Sequence, residues 1–401
     1  MSEAAGPRPL VRRMSGRDPG ERHRTTTPLE LLFDLTFVIA VARLAGELRD
    51  ALEQGHAGHA LASYAMVFFV LWWSWVNIAW FASAYDTDDV PYRLLTVVQM
   101  AGVLVFAAGI PAAFQHADFF MIVIGYVIIR MALVPQFLRA ARSHPDGRAA
   151  TLRYAAGITT VQLCSIGWLA LSGPARLAGF VVLVAGELAV PAWAQFGARG
   201  TPWHPGHIAQ RYRGFTIIVL GEAISAIAAA VDGTVTGRRP SPSVLTIAAA
   251  GLLLVFALWW SYFKQHPARE IRQSLPWAYV WGLAHYLIFA SLAALGAGLE
   301  VAIESLTHGA RVTPAFAAFA VAIPVAIDVA VLTLLAARIN ATSAALRLTP
   351  LIIAAVLSVA AATPLLTLPA ATVIMVVLVA GLLSYHLLQG RPPRASRDQG
   401  R

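Results

Sequence analysis

The feature that most constrains this chain is a succession of apolar stretches, each about 20 residues long and separated by short polar segments. A helix of that length spans the hydrocarbon core of a bilayer, which is about 30 Å thick. The sequence therefore predicts an all-α polytopic membrane protein with about twelve transmembrane helices. They are predicted at 28–48, 60–84, 92–113, 118–140, 150–172, 175–197, 210–231, 243–264, 277–299, 313–337, 346–366 and 369–388.

The composition and the placement of charge agree with a membrane protein. Hydrophobic residues make up 58% of the 401 positions and charged residues only 13%, which is too apolar for a surface that faces water. If the N-terminus is cytoplasmic, 23 of the 30 Lys and Arg residues, Arg211 among them, fall on that side of the membrane. Since positive residues collect on the cytoplasmic side, we expect a multi-pass protein of the cell membrane with both termini, 1–27 and 389–401, as basic cytoplasmic tails.

The chain also contains an internal repeat. The segment FVLWWS at 69–74 matches FALWWS at 256–261, and VVLVAGEL at 181–188 matches VVLVAGLL at 376–383, in the same order. These matches predict two parallel six-helix bundles (6+6), as in transporters built from parallel repeats; chance likeness between apolar helices is the alternative. The predicted parts are a first repeat at 28–197, a cytoplasmic linker at 198–209 and a second repeat at 210–388.

Two segments carry a resemblance to a known family. ELLFDLTFVIAV at 30–41 and HIAQRYRGFTIIVLGEAI at 207–224 resemble the opening and mid-chain motifs of the bacterial low temperature requirement A family. The resemblance implies a multi-span membrane protein associated with growth in the cold or under stress, and it supplies no substrate. One position departs from the family pattern, because Gln210 stands where the motif has Glu. The repeat aligns Gln210 with Glu30, so a role that needs a carboxylate in both halves is in doubt here.

The first predicted helix begins with two carboxylates on one face, Glu30 and Asp34, four residues apart. Thr27, Pro28 and Glu30 have the order of a capping box, in which the N-cap hydroxyl and the N3 carboxylate bind each other's backbone amides. Asp34 lies too far into the helix for this role. It is either a structural carboxylate, solvated or paired with an Arg of the inner loops, or a functional group that faces a cavity.

Glu222 is the strongest functional candidate. It lies in the middle of an apolar run from Gly214 to Val231, where a charged side chain costs about 3 kcal/mol to insert. A water-filled cavity, a cationic partner or protonation would offset that cost.

Three more ionisable residues fall within predicted spans: Arg130, Glu187 and Asp328. Arg130 and Asp328 have similar depths in the two repeats, so an ion pair between them is the simplest structural prediction. Glu187 aligns with an apolar residue of the other repeat. His285 and His386 could relay protons, although a buried structural histidine is the commoner case.

The twin FVLWWS and FALWWS segments place Trp72, Trp73, Trp259 and Trp260 inside the predicted spans rather than at their interfacial ends. Packing between helices is the first interpretation. The alternative is a cavity wall, because an indole offers both an apolar face and an N–H donor to a solute.

We predict no cofactor and no metal site. His204 and His207 have a spacing that some metal ligands share, but no carboxylate or Cys lies near them in the sequence. The chain has one cysteine, Cys164, and it contains no P-loop pattern that would indicate ATP-driven transport.

These observations favour a proton-linked secondary transporter of a small solute or ion, with Glu222 and Asp34 as the carboxylates that bind a proton or cation. The first alternative is an ion channel with tandem six-helix repeats, because FDLTFVIAV at 33–41 is also faintly similar to the first helix of the two-repeat lysosomal potassium channel family. The second is a non-transporting membrane protein that supports growth in the cold or under stress. An enzyme is not expected, the lipid bilayer is the expected partner, nucleic acid is not, and a homo-oligomer is left open.

Overall fold

A computed structural model describes residues 10–21, 24–55, 57–195, 200–235, 241–265, 271, 274–306, 312–340 and 343–389. Within these ranges the regular structure consists of twelve α-helices and one short 3-10 turn, with no strand. The helices are α1 (Pro28–Glu53), α2 (Ala57–Tyr85), α3 (Val90–His116), α4 (Phe120–Ser143), α5 (Arg148–Trp168), α6 (Gly173–Gln195), α7 (Pro205–Val235), α8 (Pro242–Phe263), α9 (Leu275–Glu304), α10 (Pro314–Asn340), α11 (Ser343–Ala361) and α12 (Leu368–Gln389).

The all-helical prediction is confirmed. In the described part of the chain, nine helices are long and apolar enough to cross a membrane, namely α2, α3, α4, α6, α7, α8, α9, α10 and α12. Helices α1 and α5 fall short of that standard, because α1 carries charged residues along its length and α5 combines Arg148 and Arg153 with three Thr residues and one Gln. In α11 the side chains that the structure describes form a shorter apolar helix, Leu346–Ala361.

Contacts divide the chain into two compact units, residues 1–222 with 268–275 and residues 223–267 with 276–401. In the first unit α3 packs along α4, α4 along α5, and α5 along α6, while α1 lies against α2 and α3. Helices α3 and α4 approach so closely at Gly125 that a Cβ there would collide with the backbone of Phe106. Small residues allow such contacts between membrane helices, where van der Waals packing holds helices together.

In the second unit α8 packs along α12, α10 along α11, and α11 along α12. Gly298 of α9 faces the carbonyl of Ala320 on α10, so closely that a Cβ there would meet the carbonyl oxygen. Pro324 follows Ala320 by one helical turn and has no N–H to bond that carbonyl. The glycine therefore lets α9 cover a carbonyl that has no partner within its own helix.

The described part of the predicted N-terminal tail, 10–21 and 24–27, is packed against the first unit. The Arg24 guanidinium donates to the carbonyls of Ala82, at 2.8 Å, and Ser83, and the backbone N–H of Arg17 donates to the carbonyl of Ala84 at 3.0 Å. These donors satisfy carbonyls at the end of α2 that a helix leaves without partners. The predicted C-terminal tail lies, from residue 390 onward, outside the described residues.

Candidate functional site

Helix α1 starts with the predicted capping box. The Thr27 hydroxyl accepts from the backbone N–H of Glu30 at 3.3 Å, and Glu30 Oε2 accepts from the backbone N–H of Thr27 at 2.8 Å. Pro28 occupies the first helical position, where a missing N–H costs nothing. The Glu30 side chain is nevertheless buried, and its carboxylate has further partners outside α1.

Those partners come from α7. Arg211 lies in the second turn of this helix and is only 1% exposed. Its Nη1 donates to Glu30 Oε1 at 2.8 Å, and its Nη2 donates to Asp34 Oδ1 at 2.6 Å. The four-residue spacing of the two acids therefore gives one carboxylate to each terminal nitrogen of a single guanidinium, a strong, geometrically specific contact.

Aromatic side chains enclose this pair of contacts. Trp75 of α2 donates its Nε1–H to Asp34 Oδ1 at 2.7 Å, and the Arg211 guanidinium carbon lies 5.9 Å from the centre of the Trp75 ring. The same indole packs against Tyr212 and Phe215, with ring centres 4.9 Å and 4.5 Å away. The aromatic contacts bury the charged groups and strengthen their mutual attraction.

His207 completes the site from the turn of α7 before Arg211. Its Nε2 lies 3.2 Å from Glu30 Oε2, while its Nδ1 has no hydrogen-bond partner in the described part of the chain. His204 holds the start of the helix, since its Nδ1 accepts from the backbone N–H of His207 at 3.0 Å and its Nε2 faces the carbonyl of Glu21 at 3.0 Å. A neutral His204 with the proton on Nε2 satisfies both contacts.

We refer to Glu30, Asp34, Trp75, His207 and Arg211 as the Glu30–Arg211 cluster. The sequence-based statement that no carboxylate accompanies the histidine pair is wrong in three dimensions, because α1 brings Glu30 to His207. Among the described residues, no three His, Cys, Asp or Glu side chains come together as a set that could hold a metal ion. The cluster is thus a site of ion pairs and hydrogen bonds.

The charge of the cluster acts on a neighbouring loop. Asp86 follows α2 and accepts a hydrogen bond from the backbone N–H of Asp88 at 2.9 Å. Burial, with a further contribution from the negative charge of Glu30, raises the pKa of Asp86 to about 6. The hydrogen bond from Asp88 and the positive charges of Arg17 and Arg24 act in the opposite direction, so burial and the charge of Glu30 outweigh them.

Glu222, the leading candidate of the sequence, lies further along α7 and is half-buried. No hydrogen bond or ion pair joins its carboxylate to any other described residue. The structure thus places Glu222 apart from the Glu30–Arg211 cluster but on the same helix.

Glu187 and Arg130 form a second buried cluster. Arg130 Nη2 donates to Glu187 Oε2 at 2.6 Å, and Trp73 Nε1 donates to the same oxygen at 2.9 Å. The other oxygen accepts from the Tyr126 hydroxyl and from Gln162 Nε2, the latter at 3.3 Å. We refer to these five residues as the Arg130–Glu187 cluster; it joins α2, α4, α5 and α6.

The predicted ion pair between Arg130 and Asp328 is wrong, because Arg130 is bound by Glu187. Two residues at equivalent depths of the two predicted repeats need not form an ion pair, because helix packing decides which carboxylate contacts a guanidinium. Asp328 is buried on α10, and neither of its oxygens has a hydrogen-bond partner in the described ranges.

The twin tryptophan segments have different surroundings. Trp72 and Trp73 are buried, and Trp73 binds Glu187. Trp259 and Trp260 are 38% and 41% exposed. Helix packing therefore accounts for the first pair, while a cavity wall remains a prediction.

Three members of the Glu30–Arg211 cluster, Trp75, His207 and Arg211, were missed as site residues in the sequence. Arg211 had been counted only as a charge on the cytoplasmic side, and His207 had been placed in the linker at 198–209, but α7 already begins at Pro205. A usable signal was present, because His207 and Arg211 have the same four-residue spacing as Glu30 and Asp34. Gln210, the position that departs from the family motif, is exposed and lies outside the cluster.

The segments at 30–41 and 207–224 thus meet in one buried site. A family model described as bacterial low temperature requirement A protein (LtrA) matches residues 25–381, a range that includes both segments. The chain belongs to the low temperature requirement A family. As a member of this family it is a membrane protein with many apolar helices.

A curated relative gives the extent of the similarity. The uncharacterized protein RA0937 of Rhizobium meliloti (strain 1021) is 30% identical over 251 residues, which cover 60% of this chain. The match spans 58% of the length of that relative. No solved structure matches the chain.

Proposed function

We propose that this low temperature requirement A protein is a proton-linked secondary transporter, which exchanges protons for a small cation or solute across the bacterial cell membrane. The observation that carries the proposal is the sharing of one guanidinium, Arg211, by two buried carboxylates, Glu30 and Asp34, beside a histidine that can accept a proton. Ionisable groups of this kind inside a membrane protein mark ion or proton pathways more often than they serve packing.

The balance of charge supports this function. With His207 neutral, two carboxylates face one guanidinium and the cluster has one excess negative charge. A proton added to Nδ1 of His207, the nitrogen without a described partner, makes the cluster neutral. Because an uncompensated charge in a buried site is costly, binding of a proton or a small cation is favoured there.

The geometry of α7 supports a path from the cluster toward the interior of the membrane. Glu222 follows Arg211 by eleven residues, so the two side chains differ by only about 20° around the helix and about 16 Å along it. Phe215 and Ile218 lie between them on the same face. Glu222, half-buried and without a described partner, is the next group on this face that can hold a proton.

The finer features of the predicted architecture belong to the same proposal. Two parallel six-helix repeats with both termini in the cytoplasm would give the transporter two bundles of equal orientation. A reporter enzyme that works only in the cytoplasm, fused after Gln389, is expected to be active in whole cells. An inactive fusion that is present in the membrane would contradict the predicted orientation.

Exchange can be measured in liposomes that contain the full-length protein and a fluorescent pH indicator. The vesicles are acidified inside, and Na⁺ or K⁺ is then added outside. We expect the wild type to dissipate the pH gradient on addition of at least one of these cations. Glu222→Gln and His207→Gln are expected to fall to the rate of protein-free vesicles, since each removes a proton-binding group. Asp232→Asn, an exposed carboxylate on the same helix, is the matched control and should retain exchange.

Three results would overturn the proposal. Wild-type vesicles that behave like protein-free vesicles with both cations would favour the non-transporting alternative. Equal rates in the wild type, Glu222→Gln and His207→Gln would separate transport from these residues. Unitary currents in planar bilayers that rise with cation concentration without the saturation of a carrier would replace the transporter with an ion channel.

A further inference from the structure

A small, mostly apolar cavity with a few polar groups lies in the second unit, between the C-terminal parts of α8, α10 and α12. Its volume is about 20 Å³, which is enough for about one water-sized atom. Its polar lining consists of Ser261, Lys264, Gln265, Thr333 and His386, and the remainder is aliphatic. The lining residues all belong to the second unit, whereas the residues of the Glu30–Arg211 cluster all belong to the first.

The polar groups around the cavity have a common character. Two of the five, Lys264 and His386, are basic, and none of the described residues that line the cavity is a carboxylate. Thr333 Oγ1 accepts a hydrogen bond from Thr349 Oγ1 at 3.1 Å, so the Thr333 hydroxyl proton can point elsewhere. The hydroxyl of Ser261 offers another donor. Donors and positive charge without acidic neighbours are what an anion requires.

Two of these polar groups, the His386 imidazole and the Lys264 ammonium, lack the hydrogen-bond partners that buried polar groups usually have. His386 Nε2 is buried and has no hydrogen-bond partner within the described ranges. The Lys264 ammonium, immediately after α8, has no ion pair or hydrogen bond to another described residue. Burial lowers the pKa of Lys264 to about 8. A lysine can stabilise a helix end through the dipole alone, but this explains neither the orphaned histidine nitrogen nor the hydroxyl groups.

We propose that this cavity binds a phosphate-type oxyanion, with one oxygen inserted between Lys264 and His386 and the other oxygens at the mouth. The small volume admits one oxygen and excludes the whole ion. Two sources share this chemistry: inorganic phosphate, or the phosphate of an anionic lipid. The lipid is a candidate because the ends of three apolar helices lie at headgroup depth in a bilayer.

The proposal is tested by the thermal stability of the full-length protein. One arm adds sodium phosphate to protein in neutral detergent, with sodium gluconate at equal ionic strength as reference. The other arm compares nanodiscs of phosphatidylglycerol with nanodiscs of phosphatidylcholine, without added phosphate. The variants are Lys264→Met and His386→Gln. Arg347→Gln, an exposed arginine of the same unit, is the matched control.

We expect phosphate, phosphatidylglycerol or both to raise the Tm of the wild type and of Arg347→Gln. Each pocket variant should weaken the apparent affinity about tenfold or more, as loss of a charge-assisted hydrogen bond does. A rise in only one arm identifies the source as free phosphate or as lipid. The proposal fails if neither probe raises the Tm of the wild type. It also fails if Lys264→Met and His386→Gln, or the one of them that folds, respond like Arg347→Gln.

Discussion

Two buried arginines of the first unit are each held by carboxylates, and they differ in their balance of charge. Arg130 faces one carboxylate, Glu187, whose two oxygens accept from four donors. Arg211 is shared by two carboxylates, Glu30 and Asp34, and a histidine lies beside one of them. The first cluster is neutral and its carboxylate is fully bonded, whereas the second has an excess carboxylate and a group that can take up a proton.

This difference separates a structural role from a chemical one. A buried ion pair of matched charge, with its carboxylate satisfied, has no reason to release or bind a proton, and it links the helices that supply its members. A cluster with one unmatched charge changes its net charge on protonation, and its stability then depends on what is bound. The contacts of the Arg130–Glu187 cluster therefore suit helix packing, whereas the unmatched charge of the Glu30–Arg211 cluster supports the function proposed for it.

The largest effect is expected from Arg211→Met, because it leaves two carboxylates buried without a cation. Removal of one partner of a buried ion pair costs about 3–5 kcal/mol, and two stranded carboxylates should place this variant at or above that range. The measurement is the yield of monodisperse protein together with Tm in detergent. Gln210→Met changes the exposed neighbouring residue and should resemble the wild type. Equal stability of the two variants would contradict the importance of the ion pairs.

A smaller loss, about 3–5 kcal/mol, is expected from Arg130→Met, which strands only Glu187. Here a second substitution should restore most of the stability. In Arg130→Met with Glu187→Gln, the amide oxygen can still accept from Trp73, and the amide N–H groups can reach the Gln162 oxygen, which has no described partner. The same two-step test is then applied at the other cluster.

At the Glu30–Arg211 cluster the corresponding pair is Arg211→Met with Glu30→Gln. It should restore much less stability, because Asp34 stays charged with only Trp75 as a described donor. Thermal unfolding of the four variants in one detergent decides the point. Equal rescue at both clusters would remove the distinction drawn between them.

The next effect depends on pH and concerns Asp86, which responds to the charge of Glu30. Its pKa is raised from the ordinary value of 3.8 to about 6 in the folded protein. The folded state therefore binds more protons than the unfolded state between these values, and the free energy of unfolding falls as the pH rises through that window. Over about two pKa units this amounts to about 2–3 kcal/mol.

Asp86→Asn should remove that loss. Relative to the wild type, the variant is expected to gain stability between pH 4.5 and pH 7.5, as measured by Tm at both values. Glu30→Gln should reduce the difference, since less negative charge then faces Asp86. A difference in Tm that does not change with pH would show that Asp86 is ionised to the same extent in both states.

Much of the fold was predictable from the sequence, because it follows from local patterns. The length of the apolar stretches predicted the helices. The capping box of Thr27, Pro28 and Glu30 predicted the first residue of α1 correctly. The predicted spans one and five correspond to α1 and α5, the helices that are too charged or too polar to meet the standard for crossing a membrane. Length alone did not distinguish them from the others.

The site was only partly predictable, because it depends on contacts between distant segments. Glu30 and Asp34 were recognised as unusual, but their partner Arg211 lies about 180 residues away and was counted only among the charges on the cytoplasmic side. The pairing of Arg130 with Glu187 rather than Asp328 was missed for the same reason. Sequence spacing defines which side chains share a helical face, whereas helix packing decides which faces meet.

The smallest effect is expected at Thr27, the N-cap residue of α1, which binds Glu30 within the same helical turn. Thr27→Ala removes the hydroxyl that accepts from the backbone N–H of Glu30 and should cost about 1 kcal/mol. Thr27→Ser keeps that hydroxyl and should match the wild type in Tm. The Thr27 hydroxyl also lies 3.2 Å from Glu30 Oε2, so it contributes to the orientation of the carboxylate. If Thr27→Ala lost as much stability as Arg130→Met, the cap would be needed to hold Glu30 against Arg211. The helix-capping role of Thr27 could then not be treated as independent of the ion pair between Glu30 and Arg211.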